Sequence, residues 1–176
     1  MAVRIDDERQ FEESFRALAG HVYAYALRRA DPDVAQDVTA ETFLIAWRRR
    51  GRLPAEPLPW LYGIARRVLA NERRSANRRA ALEAHIAAQP ARAVSGERHG
   101  LLEALARLSE RDREVLLLTA WEGLSTQEAA RATGCTSAAL AVRLHRARRR
   151  LAQTLAEGAA EADPTPPTHP VPEVSA

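Results

Sequence analysis

Apolar residues return every three or four positions along most of this chain, and strand-like alternation of apolar and polar residues is absent. Phe11, Phe15, Leu18, Val22 and Tyr25 form the first such series. Asp6, Asp7 and Glu8 precede it with the negative charge that a helix N-terminus favours, so a helix is expected to run to about Ala30. Asp31-Pro32 then reads as a cap followed by proline at the first helical position. The second helix should span about Pro32 to Arg50, bury Val34, Val38, Phe43 and Trp47 in some combination, and stop at Gly51. Pro54, Pro57 and Pro59 argue against regular helix from Arg52 to Pro59. Beyond them, Leu61, Ile64, Ala65, Val68 and Leu69 make a third apolar stripe.

The pattern weakens from Ala80 to Gly100, where Pro90, Ser95, Gly96 and Gly100 punctuate a linker with room for a short helix before Gln89. Leu101, Leu102, Leu105 and Leu108 restart a helix. Ser109 and Asp112 resemble another cap, Val115 to Trp121 is strongly apolar, and Gly123 ends that segment. Ser125 and Glu128 form a capping box, so a helix should begin at Thr126 and stop at Gly134. Thr136 and Ser137 offer a fresh cap for a helix from about Ala138 past Arg150. Its stripe is Leu140, Leu144, Ala147 and Leu151, with Arg143, Arg146, Arg149 and Arg150 off the stripe.

These elements predict an all-α chain of two small helical domains joined by a flexible linker. The first covers residues 1–79, the linker 80–100, and the second, a four-helix bundle, 101–157. A Pro-rich tail without aromatics, 158–176, is expected to be disordered. Two short helices around a glycine turn, the second loaded with arginine, read as a helix-turn-helix. Cys135 lies in that turn, where a small buried residue is expected.

Charge sharpens the picture. The 176 residues carry a formal net charge of only +3, but every basic side chain is arginine, and no acid stands between Glu128 and Glu157. An ordinary solvated face mixes signs, whereas a phosphate-binding face need not. In the third helix Trp60 and Tyr62 mingle with Arg66, Arg67, Asn71, Arg73, Arg74, Arg78 and Arg79. Aromatics among cations suit single-stranded nucleic acid. The competing reading makes both aromatics core anchors and the arginines a solvated face.

Other chemistry is disfavoured. One cysteine gives no disulfide framework and no thiolate zinc site. The five histidines are scattered without metal-ligand spacing, and phosphate-cradling glycine motifs are absent. Neither an enzyme, a cofactor nor a metal site is expected. The N-terminus lacks the apolar core of a signal peptide and no run approaches a membrane span, so a cytoplasmic protein without membrane insertion is expected.

On these residues the chain resembles a sigma-70 family transcription initiation factor of the extracytoplasmic-function (ECF) group. AQDVTAETFLIAWRRR, Ala35 to Arg50, is similar to the family helix that docks on the clamp coiled coil of RNA polymerase. PWLYGIARRVLANERR, Pro59 to Arg74, is similar to the segment that reads and opens the promoter −10 element. The stretch from Leu108 to Leu151 is similar to the domain that reads the −35 element.

The resemblance implies core RNA polymerase, promoter DNA and an anti-sigma factor as partners. It implies polymerase contacts at Asp37, Glu41, Leu44 and Arg48. It implies −10 contacts at Trp60, Tyr62, Arg66, Arg67, Asn71, Arg73 and Arg74, and −35 contacts at Thr136, Ser137, Arg143, His145, Arg146 and Arg148. The chain departs from the family at Gln36, Ala40 and Arg67, and at Ala138 to Val142, where polar residues are usual.

A LuxR-type helix-turn-helix regulator would account for Leu108 to Leu151 but not for the two N-terminal motifs. A helical interaction protein without DNA binding would make both arginine clusters plain surface.

Overall fold

The computed structural model describes residues 8–83 and 99–162. Seven α-helices and one short 3₁₀ turn occur among them, with no strand. The N-terminal unit holds α1 (Glu8–Leu27), α2 (Pro32–Arg48), the 3₁₀ turn (Arg50–Arg52) and α3 (Pro57–Glu83). The C-terminal unit holds α4 (His99–Arg107), α5 (Glu110–Ala120), α6 (Thr126–Thr133) and α7 (Ser137–Ala162). Residues 84–98, most of the expected linker, and 163–176, most of the expected tail, lie outside the described residues.

The caps are those the sequence encodes. Asp31 accepts from the Val34 amide and Pro32 opens α2. Ser109 accepts from the Asp112 amide. Ser125 and Glu128 close a reciprocal capping box at α6, and Gly134 ends it at φ +73°, the left-handed conformation that glycine takes without strain. Thr136 accepts from the Ala139 amide at the start of α7.

Several boundaries differ from expectation. The first helix ends at Leu27 rather than Ala30, and the second at Arg48, ahead of Gly51, because the chain tightens into the 3₁₀ turn. α3 begins at Pro57, so two prolines sit inside a helix. They are tolerated because amides of a first turn have no intrahelical partner to lose. α7 runs through Gly158 to Ala162. One glycine near a helix end costs only about 1 kcal/mol, and the long helix absorbs it.

The core is continuous across both units. Val22, Tyr25, Val38, Phe43, Leu61, Ile64, Ala65, Val68 and Leu69 fill the first, and Leu105, Val115, Leu118, Leu124, Leu140, Leu144 and Ala147 the second. Leu140 and Leu118 are completely buried, each contributing about 1.5–3 kcal/mol by leaving water. Phe11 meets Trp47 and Phe15 meets Phe43 edge to face, pinning α1 to α2.

The units also pack directly on each other, α3 against α6 and the end of α1 against α5 and the turn after it. Local periodicity carries no information about that contact.

Candidate polymerase and nucleic-acid faces

Asp37, Glu41, Leu44 and Arg48 fall at helical spacing on α2, and all four are exposed. Leu44 is 43% exposed, an apolar residue set between two carboxylates and a guanidinium. A groove between α2 and α3, lined by Asp37, Glu41, Leu44, Val68, Asn71 and Glu72, runs beside them. Such a strip has the composition of a protein-docking surface: a central apolar contact with a charged rim.

The −35 candidates are equally open. Thr136, Ser137, Arg143, His145, Arg146 and Arg148 are all exposed. Leu140, Leu144 and Ala147 anchor the opposite side of α7 in the core, so the arginines are held outward on a rigid helix. Cys135 is exposed too, contrary to the expectation of a buried turn residue. The left-handed turn at Gly134 carries the chain away from the core there, and the Cys135 sulfur rests 3.2 Å from the Thr133 hydroxyl. One of the arginines has a structural partner: Arg150 pairs with the buried carboxylate of Asp112 on α5.

The −10 candidates divide. Arg67, Asn71, Arg73 and Arg74 are exposed on α3, and Asn71 accepts from Arg74. Trp60 is half-buried against the core. Tyr62 is 2% exposed and stacks on Tyr25, with ring centroids 4.8 Å apart. In this conformation it is a core residue, not a contact for bases. Burial and the neighbouring Glu122 carboxylate push its hydroxyl up to about 12. Arg66 is also engaged, its Nη2 donating to the Thr133 carbonyl at 3.2 Å. That carbonyl is one of the orphan acceptors at the C-terminal end of α6, so Arg66 caps a helix of the other unit. Arg73 pairs with Glu110 and donates to the Arg29 carbonyl at 3.1 Å.

Sequence reasoning missed the residues that join the units. Arg28, Arg29, Glu114 and Glu122 carry no motif. Their pairing spans 85 to 94 positions of chain and leaves no local signal. Arg29 is enclosed: Nε donates to Glu114 at 2.9 Å, Nη1 to Glu122 at 3.1 Å, and the guanidinium carbon stands 3.6 Å from the Tyr25 ring centre. Burial alone would lower the Arg29 pKa, but Tyr25, Glu114 and Glu122 outweigh it and hold the guanidinium above its usual value.

Residues 14–79 match Sigma-70 region 2 and residues 98–151 match Sigma-70, region 4. The chain is 33% identical over 150 residues to the ECF RNA polymerase sigma factor SigL of Mycobacterium tuberculosis, covering 79% of this chain and 85% of SigL. It is 35% identical over 139 residues to the probable RNA polymerase sigma factor RfaY of Xanthomonas campestris pv. campestris, covering 71% of this chain and 34% of RfaY. The chain therefore spans about a third of that relative's length. Among solved structures, it superposes with a TM-score of 0.66 on the sigma factor RpoE in complex with the anti-sigma factor NepR from Bartonella quintana, at 25% identity, covering 84% of this chain and 98% of RpoE. CnrH in complex with the cytosolic domain of CnrY gives a TM-score of 0.57 at 26% identity, covering 90% of this chain and 92% of CnrH.

Proposed function

Because the chain belongs to the ECF group of sigma-70 family RNA polymerase sigma factors, we propose that it binds core RNA polymerase in the cytoplasm and directs promoter-specific initiation. The observation that supports this most is the pairing, in one chain and in order, of a region 2 match with a region 4 match. A LuxR-type regulator needs only the second, and a scaffold needs neither.

In this reading the exposed α2 strip of Asp37, Glu41, Leu44 and Arg48 docks on polymerase. α7 lies in the major groove of the −35 element. There Arg143 and Arg146 reach base edges or phosphates, with His145, Arg148, Thr136 and Ser137 along the same face. A bidentate arginine–guanine contact is worth about 1–3 kcal/mol of discrimination, whereas phosphate contacts give affinity without selectivity. The recognition helix has Ala138, Ala139, Ala141 and Val142 where polar contacts are usual, so its base reading rests on the arginines.

At the −10 element, α3 supplies Arg66, Arg67, Asn71, Arg73 and Arg74 with Trp60 at their base. Extracting a base from the stack costs a few kcal/mol, which stacking and phosphate contacts on the opened strand offset. Tyr62 supports this wall from the core. The chain itself makes and breaks no bonds; polymerase supplies that chemistry. The anti-sigma factor NepR in complex with RpoE supports regulation of the same kind here.

Gel filtration with sigma-free core polymerase at low ionic strength tests the docking face. Wild type should co-elute with core, and Glu41→Arg/Leu44→Asp should not. Failure of the wild type to co-elute would contradict the reading.

A further inference from the structure

The promoter reading leaves unexplained a cavity of about 520 Å³ between α3 and the helices α5, α6 and α7. Four guanidiniums line it: Arg66 and Arg74 of α3, Arg111 of α5 and Arg143 of α7. Its two carboxylates are engaged elsewhere. Glu110 pairs with Arg73, while Glu114 pairs with Arg29 and accepts from the Tyr25 hydroxyl. Arg66 donates only to the Thr133 carbonyl, and its Nε is buried with no acceptor among the described residues. Arg74 donates only to the neutral amide of Asn71. Arg111 and Arg143 make no hydrogen bond or ion pair among the described residues. Like charges gathered without counterions repel, most strongly where protein walls displace water, and a buried donor without an acceptor is rare. An anion in the cavity removes both costs.

We propose that this cavity binds a diphosphate group, free or carried on a nucleoside. A guanidinium presents a rigid fork of N–H donors that matches phosphate oxygens. The four forks stand on three helices and so at separate points of the wall. A diphosphate has oxygens facing several ways and can address several forks at once. A carboxylate holds its two oxygens in one plane and suits a single fork. The volume fits as well, since small-molecule sites occupy about 300–1,000 Å³. Ala70, Val115 and Ala139 add an apolar wall that a nucleoside can cover.

The binding site rests on the cavity alone. Its consequence rests on the sigma-factor reading, in which Arg143 serves the −35 duplex and Arg66 and Arg74 the opened −10 strand. A diphosphate held here occupies the same side chains, so ligand and promoter DNA compete for the free chain. The competition is reciprocal: each weakens the binding of the other by the same factor.

Isothermal titration of the full chain with sodium pyrophosphate at constant ionic strength tests the site, and its outcome does not depend on whether the chain initiates transcription. Wild type should take up one pyrophosphate per chain. Arg111 is exposed and has no partner to lose among the described residues, so Arg111→Gln keeps the fold. It should weaken uptake about tenfold, the loss of one charge-assisted hydrogen bond. Arg149→Gln removes the same charge outside the cavity and should leave uptake unchanged. No uptake by wild type, or equal weakening in both variants, would overturn the site. In backbone NMR the Ala70 and Ala139 amides should shift together with one midpoint. Shifts confined to α7 would overturn a site shared by the two units. Citrate is the chemical control, and binding as tight as that of pyrophosphate would overturn the choice of phosphate. Adenosine diphosphate separates the sources: tighter binding than pyrophosphate assigns a nucleotide, equal or weaker binding the free diphosphate. Duplex DNA added to the loaded chain should release pyrophosphate. Its retention would overturn the competition with DNA and leave the site standing.

Discussion

Arg150 reaches from α7 to the carboxylate of Asp112 at the first turn of α5, closing the C-terminal unit with an ion pair that is buried at one end and exposed at the other. Its two members are not equivalent. Arg150→Ala leaves a buried carboxylate without its cation, and an unsatisfied buried group costs about 1–3 kcal/mol. Asp112→Asn leaves only an exposed guanidinium without its partner and should cost less. Urea unfolding of both single variants and the double variant checks this asymmetry, and the double should lose less than the sum.

The capping box at the start of α6 gives a second prediction. Ser125→Ala removes the hydroxyl that accepts from the Glu128 amide and should destabilise the protein by about 1 kcal/mol. Hydrogen bonds from the Ser125 side chain and backbone hold the Glu128 carboxyl below its usual range. A depressed acid stabilises the fold above the ordinary carboxylate pKa and loses that contribution as pH falls through its lowered value. An NMR titration should place Glu128 low in wild type and return it toward normal in Ser125→Ala.

How much of this was legible in the sequence follows from the range of each interaction. The caps at Asp31, Ser109 and Ser125 and the stop at Gly134 involve neighbours three or four residues apart, so spacing revealed them. The stripe of Leu140, Leu144 and Ala147 was legible for the same reason. Tyr62 stayed open between a base contact and a core anchor, because arginines share α3 with it while the ring it stacks on, Tyr25, lies on another helix. The exposure of Cys135 depends on the direction in which the left-handed turn sends the chain. The linker-spanning pairs of Arg29 depend on how two units meet, which no periodicity encodes.

Those pairs make the alkaline behaviour informative. Burial, followed by the Glu114 carboxylate, pushes the Tyr25 hydroxyl well above its usual value, and Tyr62 is pushed up to about 12. An acid whose folded pKa is raised stabilises the fold fully below its unfolded value near 10 and loses that contribution as pH rises toward the folded value. Stability should therefore fall above about pH 10, and less steeply in Tyr25→Phe. Thermal unfolding from pH 8 to 11, with tyrosinate absorbance recorded alongside, measures both.

Salt dependence separates the arginines of α7 by role. Arg146→Ala should lower the slope of log affinity against log salt for −35 duplex by about one, because one fewer phosphate counterion is released. Arg150→Ala should leave the slope nearer wild type, since its guanidinium already serves Asp112. Filter binding of the holoenzyme across a salt series distinguishes them.

The account stands most directly on run-off transcription from genomic promoter fragments with sigma-free core polymerase. Addition of this chain should produce discrete transcripts with defined 5′ ends, lost with Arg143→Ala/Arg146→Ala. Transcripts that require a holoenzyme already carrying another sigma factor, or no transcripts at all, would contradict it.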